Sequence, residues 1–292
     1  MIHVELDIFS GTPNPRWQLS AKDAQTLFDR IIASRTLIRP VSIVESKLGY
    51  RGFIITASGT NAEKFQGAGI PPVFRVGDTS NNLQTPTWLL DTTHLLDADL
   101  YDYVQDEQRH VSDETANMSE DAVLEETDRE IAPSHPAITG YGMNCVSNWF
   151  TSSTNFDFWN ADTYHRLNNN CYNYAANYRT DTFAQPGRRS GQTFTSFSCS
   201  NVGSAVLRDG WSNSCRTSNN LSIYLVIWPG QDFHFYRLCS NGRWCHKPGQ
   251  TPATNRDQSG NYISDPRTCN RGNYTDACSS GYYYATNGIA VS

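Results

Sequence analysis

A cysteine thiol becomes a nucleophile only when its surroundings help it ionise. An isolated Cys titrates near ~8.5, and a helix N-terminus with a neighbouring imidazole lowers that by units. Cys171 has the first of these aids. Asn168-Asn169-Asn170-Cys171-Tyr172-Asn173-Tyr174-Ala175 reads as a helix start, because Asn is a good cap. His234, in Asp232-Phe233-His234-Phe235-Tyr236, lies on an expected strand downstream. His246, in Trp244-Cys245-His246-Lys247, is the nearest polar side chain able to orient that imidazole. In these roles Cys171 would attack an amide carbonyl, His234 would take and return the proton, and His246 would hold His234 in place.

Strand parity sharpens this expectation. A loop of Asn241-Gly242-Arg243 sets Ser240 opposite Trp244, Cys239 opposite Cys245 and Leu238 opposite His246. Side chains alternate between faces, so His246 then shares a face with Leu238, Tyr236 and His234. Cys239 and Cys245 meet on the other face, within reach of a cross-strand disulfide. A two-residue Asn241-Gly242 loop instead sets His246 opposite Arg237 and removes it from that face. The three-residue catalytic set and the Cys239–Cys245 bridge are therefore linked expectations.

Helix-borne Cys, then His on a strand, then a polar residue on the next strand resembles the papain-like order. The NlpC/P60 and CHAP families of cell-wall amidases and endopeptidases share it. Asn169-Asn170-Cys171-Tyr172-Asn173-Tyr174-Ala175 is similar to the stretch around a CHAP nucleophile. The resemblance covers about residues 165–250. It implies a cysteine-dependent peptidase or amidase acting on peptide or peptidoglycan amide bonds, with Cys171, His234 and His246 catalytic. Two departures stand against it: His234 lacks a preceding Gly, and seven further cysteines surround the motif.

Those cysteines carry the competing reading. All eight lie after residue 136, at Cys145, Cys171, Cys199, Cys215, Cys239, Cys245, Cys269 and Cys278. An even count at close spacing reads as a disulfide framework in an oxidising compartment. Cys171 would then pair, for example with Cys145, and the protein would be a non-enzymatic, disulfide-rich secreted binding module: a toxin, adhesin, or surface or assembly protein. If the chain is cytosolic instead, Cys239, Cys245, His246 and Cys269 are candidate zinc ligands, although no Cys-x-x-Cys pair is present. Asn255, Asp257, Ser259 and Asp265 form a candidate structural calcium loop, with Gly260 at its sixth position and Pro266 where a bidentate Glu belongs. A run of polar turns explains the same residues. No cofactor is required by the chemistry expected here.

The elements that must position these residues divide the chain. Residues 2–9 alternate as a half-buried strand, and Gly11-Thr12-Pro13-Asn14-Pro15 breaks it. Ser20 with Asp23 signals a helix carrying Leu27, Phe28, Ile31 and Ile32. Strands follow at 52–56 and 74–76, then a helix near 97–108, so residues 1–110 form a small α+β domain of unknown role. Residues 111–135 are an acidic linker. Residues 136–292 form the Cys-rich domain, α+β and papain-like, with an antiparallel sheet and disulfide stabilisation. Its strands are expected at 221–228, 232–239 and 243–247, after a helix from about 171 that ends by Gln185-Pro186-Gly187.

Charge follows the same division. Residues 1–135 hold 11 basic and 21 acidic side chains, and residues 136–292 hold 12 and 8. So slight a basic excess does not point to nucleic acid. No apolar run approaches the ~20 residues of a membrane helix. Residues 1–7 lack the basic and apolar regions of a signal peptide. The cysteines favour an extracellular location reached without a classical signal, with the cytoplasm as the alternative. The expected partner is a peptide or cell-wall substrate.

Overall fold

The computed structural model describes residues 1–77, 84–117, 154–215, 221–239, 242–286 and 289–292. The side chains of residues 111–117 are not described. The chain divides into two units. The first comprises Met1–Ile8, Asn14–Val44 and Tyr50–Asp128; the second comprises Phe9–Pro13, Glu45–Gly49 and Arg129–Ser292. Most of the expected linker, from residue 118, lies outside the described residues, as does Cys145.

The first unit is built on an antiparallel sheet of order β2-β1-β3-β4. Its strands are β1 (Ile2–Leu6), β2 (Arg16–Gln18), β3 (Phe53–Ala57) and β4 (Val73–Val76). Ile2, Val4 and Leu6 point into the core while His3 and Glu5 are half-buried, the alternation a one-sided strand requires. The strand ends at Leu6 rather than at residue 9. Asp7 instead turns its carboxylate to Arg51, at 2.7 Å, and Arg75, at 2.8 Å, with all three side chains fully buried. Helix α1 (Ala21–Ala33) starts where Ser20 Oγ accepts the Asp23 N–H, and it buries Ala24, Leu27 and Ile31.

Several elements of this unit have no counterpart in the expectation, among them β2, α2 (Thr60–Gly67) and α3 (Gln84–Asp91). A three-residue strand is too short to show a period. α2 begins after Gly59, at φ +58°, with no side-chain cap to announce it. Helix α4 covers Ala98–Asn117.

The second unit carries α5 (Phe156–Asn160), α6 (Thr163–Asn168), α7 (Cys171–Ala176) and α8 (Cys199–Arg208). Its antiparallel sheet has the order β7-β6-β5-β8, formed by β5 (Leu221–Trp228), β6 (Asp232–Leu238), β7 (Trp244–His246) and β8 (Asp276–Ala285). All eight residues of β5 are buried, which is why it reads as an unbroken apolar run. On one face Ile223, Leu225, Ile227, Phe233 and Phe235 pack with α7 and α8 residues such as Ala175, Val202 and Val206.

Disulfides lock two edges of this unit. Cys199–Cys278 joins α8 to β8 across 79 residues, and Cys239–Cys245 joins the end of β6 to β7. Cys215 is also disulfide-bonded. α7 is shorter than expected: it stops at Ala176 because Asn177 adopts the left-handed conformation at φ 51° and closes the helix.

Candidate functional site

The site lies in the second unit. Asn170 builds the start of α7 with a full capping box: its side chain accepts the Tyr172 and Asn173 N–H groups, and Asn173 Oδ1 accepts the Asn170 N–H. Cys171 follows, fully buried and unoxidised. The other free cysteine among the described residues is Cys269, which is partly buried. The expected register of the β6–β7 hairpin is wrong by two residues, since Tyr236 faces His246 and Arg237 faces Cys245. A shift of two conserves parity. His246 therefore still shares a face with Tyr236 and His234, and Cys239 reaches Cys245 on a diagonal. That oxidised pair removes two of the four candidate zinc ligands.

His234 Nε2 lies 2.8 Å from His246 Nδ1, and His246 Nε2 lies 2.8 Å from the Arg256 carbonyl oxygen. The carbonyl only accepts, so His246 Nε2 carries a proton. Burial depresses His246 to about 4, even though that carbonyl and the charge of Asp257 favour its protonated form. Neutral His246 then accepts at Nδ1, and His234 donates from Nε2. In neutral His234, Nδ1 is the remaining acceptor.

The group at that nitrogen is a serine hydroxyl from near the N-terminus. Ser10 Oγ lies 2.6 Å from His234 Nδ1, and a neutral His234 accepts its proton there. Ser10 Oγ in turn accepts the Gly249 N–H at 3.2 Å. Cys171 Sγ donates a weak hydrogen bond to the Phe233 carbonyl at 3.9 Å. Its thiol is held far above the ordinary range, first by burial and then by the negative charge of Asp232; the Phe235 N–H, the Ser10 hydroxyl and Lys247 oppose this. The arrangement is a hydrogen-bonded chain of Ser10, His234 and His246 in which His246 is neutral, next to a thiol that is protonated at neutral pH.

Asp232 anchors the segment that delivers Ser10. Its carboxylate accepts the N–H groups of Ser10, Gly11 and Thr12 at 2.6, 3.0 and 2.9 Å, and also the Tyr274 hydroxyl at 2.6 Å. Lys247, fully buried, donates to the carbonyls of Arg166, Asn169 and Gly249 and ties α6 to β7. Sequence reasoning identifies the Cys and both His residues but gives no role to Ser10, Asp232 or Lys247. Ser10 lies far upstream of its partners, between the expected strand and the break at residues 11–15 that ends it.

The candidate calcium residues have protein partners. Asp257 accepts the N–H groups of Ser259, Asn261 and Asn270. Asp265 pairs with Arg267, Ser259 Oγ accepts the Asn270 amide, and the Asn255 carbonyl accepts the Ile263 N–H. Among the described residues, no helix is long and apolar enough to cross a membrane.

The polar chain and the disulfide-clamped sheet around it define a mixed α/β protein with antiparallel sheets. Its kinship comes from sequence. Over 120 residues, or 40% of this chain, it is 52% identical to the insoluble matrix shell protein 1 of Ruditapes philippinarum, and the match covers 80% of that protein. The chain belongs to the family of that protein. No protein-family model matches it, and no solved structure does.

Proposed function

We propose that this protein is an extracellular, disulfide-stabilised matrix component that works by binding and assembly and not by turnover. Its kinship with an insoluble shell-matrix protein supports this reading, and so do its disulfides, which persist in oxidising compartments. The observation that carries it at the site is the enclosure of Cys171 and His234, both fully buried, with the imidazole nitrogen already taken by Ser10. A nucleophile needs its thiolate and access to substrate. The test compares hydrolysis of peptide and peptidoglycan amides by the full chain and by Cys171→Ala. Equal, background rates are expected, together with recovery of the protein from the extracellular matrix. A rate that vanishes in Cys171→Ala, or a reduced cytosolic pool, overturns the proposal.

A second reading rests on a different observation. Cys171 is unoxidised beneath a capped helix start, while His234 and His246 pair on one sheet face. That order resembles papain-like amidases. As a cysteine hydrolase, the protein would use Cys171 as nucleophile, His234 as base and His246 as orienting group, once Ser10 had left.

A further inference from the structure

Residues Phe9–Pro13 are held as a ligand would be. Both backbone polar groups of Ser10 and both of Gly11 have partners contributed from far along the chain. The Ser10 N–H meets Asp232, and the Ser10 carbonyl accepts the Cys171 N–H at 3.4 Å. The Gly11 N–H meets the same carboxylate, and the Gly11 carbonyl accepts the side-chain amides of Asn170 at 2.6 Å and Gln185 at 2.8 Å. Three successive N–H groups converging on one carboxylate form an anion-holding concavity of the backbone.

The side chains are read as well. The Ser10 hydroxyl meets His234 Nδ1 at 2.6 Å and accepts the Gly249 N–H at 3.2 Å, so it is held from two sides. At Gly11, a Cβ would stand 2.5 Å from the Phe233 carbonyl oxygen, a backbone atom that cannot swing away. Thr12 Oγ1 adds a hydrogen bond to Asp232, and the Phe9 ring packs edge-on against Trp228 at 6.0 Å.

We propose that the second unit contains a binding cleft for a bent peptide of the type Phe-Ser-Gly-Thr, and that Phe9–Pro13 is its ligand supplied by the same chain. Cys171, His234, Asp232, Asn170 and Gln185 are the recognition groups. Ser is selected by the His234 ring nitrogen and the Gly249 N–H that meet its hydroxyl, and Gly by exclusion of any side chain. The cleft takes the same sequence from a separate peptide whenever its own segment is unseated. This inference stands apart from the matrix assignment, because it holds whether or not the protein is part of a matrix.

The test uses the full chain with Gly11→Ala, which the Phe233 carbonyl prevents from seating. Iodoacetamide labelling of Cys171 is followed by mass spectrometry, with hydrogen exchange of β5 amides reporting an intact fold. Wild type is expected to resist labelling and the variant to label at least about tenfold faster, through local opening. A synthetic peptide covering residues 8–13 should restore resistance, and its Ser→Ala and Gly→Ala versions should not. A folded variant whose Cys171 stays inert overturns the proposal, as does a labelled variant that the peptide fails to protect or that all three peptides protect equally. Should Gly11→Ala fail to fold, exchange in the wild type decides. The Ser10–Thr12 amides must exchange at least about tenfold slower than in the free peptide, yet faster than those of β5; free-peptide rates overturn the proposal.

Discussion

Each unit buries a polar cluster, and the two solve the problem of burial in opposite ways. In the first, Asp7, Arg51 and Arg75 stay charged. Burial alone would raise Asp7, but the two guanidiniums outweigh it and hold the carboxyl at about 2. In the second, Ser10, His234 and His246 form a hydrogen-bonded chain, Cys171 is buried with its thiol on the Phe233 carbonyl, and burial drives His246 and the thiol to their neutral forms. A charged cluster depends on every partner being present. A neutral one tolerates loss better, because removing one member leaves no uncompensated charge.

The largest effect should come from breaking the charged cluster. Asp7→Asn leaves two buried arginines without their shared counter-charge and should cost about 3–5 kcal/mol in chemical denaturation. A loss below about 1 kcal/mol would mean that the arginines find compensation elsewhere, and the contrast would fail.

Acid separates the clusters next. His246 is depressed from 6.5 to about 4, so its contribution is complete above 6.5 and is lost as pH falls through 4. It amounts to about 3 kcal/mol. Asp232, which burial raises, works in the opposite sense in the lower part of that window. The measurement is therefore the difference between wild type and His246→Gln: wild type should lose about 3 kcal/mol more between pH 6.5 and 4. Asp7 should add a separate loss, about 2 kcal/mol, as pH falls from 3.8 through about 2. A single transition shared by both units, unchanged in His246→Gln, would erase the distinction.

Ser10→Ala deletes the hydroxyl between Gly249 and His234 and should cost about 1–3 kcal/mol by thermal or urea unfolding. Equal stability would show that water replaces it. The smallest effect belongs to a surface cap: Ser20→Ala removes the acceptor for Asp23 N–H and should cost about 1 kcal/mol. It serves as the reference for what a single exposed hydrogen bond is worth in this chain.

Particular residues show how far the sequence could be read. Strand β5 matches its apolar run because every position is buried, and β6 ends one residue early. The cap at Ser20 and the helix start at Asn170 are legible because a cap is decided by residues two or three positions away. The Cys239–Cys245 bridge and the shared face of His234 and His246 survive a register error because parity, not exact pairing, decides them. Short elements such as β2, and strand β8 around its tyrosine run, carry no period strong enough to stand out.

The amino-acid order alone thus determined the antiparallel strands, the capped start of α7 and the faces on which its candidate chemistry lies, since each depends on neighbours within a few positions. Tertiary structure alone decided that the thiol is enclosed and that a serine from near the N-terminus meets the imidazole nitrogen. The physical reason is range. Local preferences act over one turn or one hairpin, whereas desolvation and the partner of a buried donor are set by whichever distant segment fills the space.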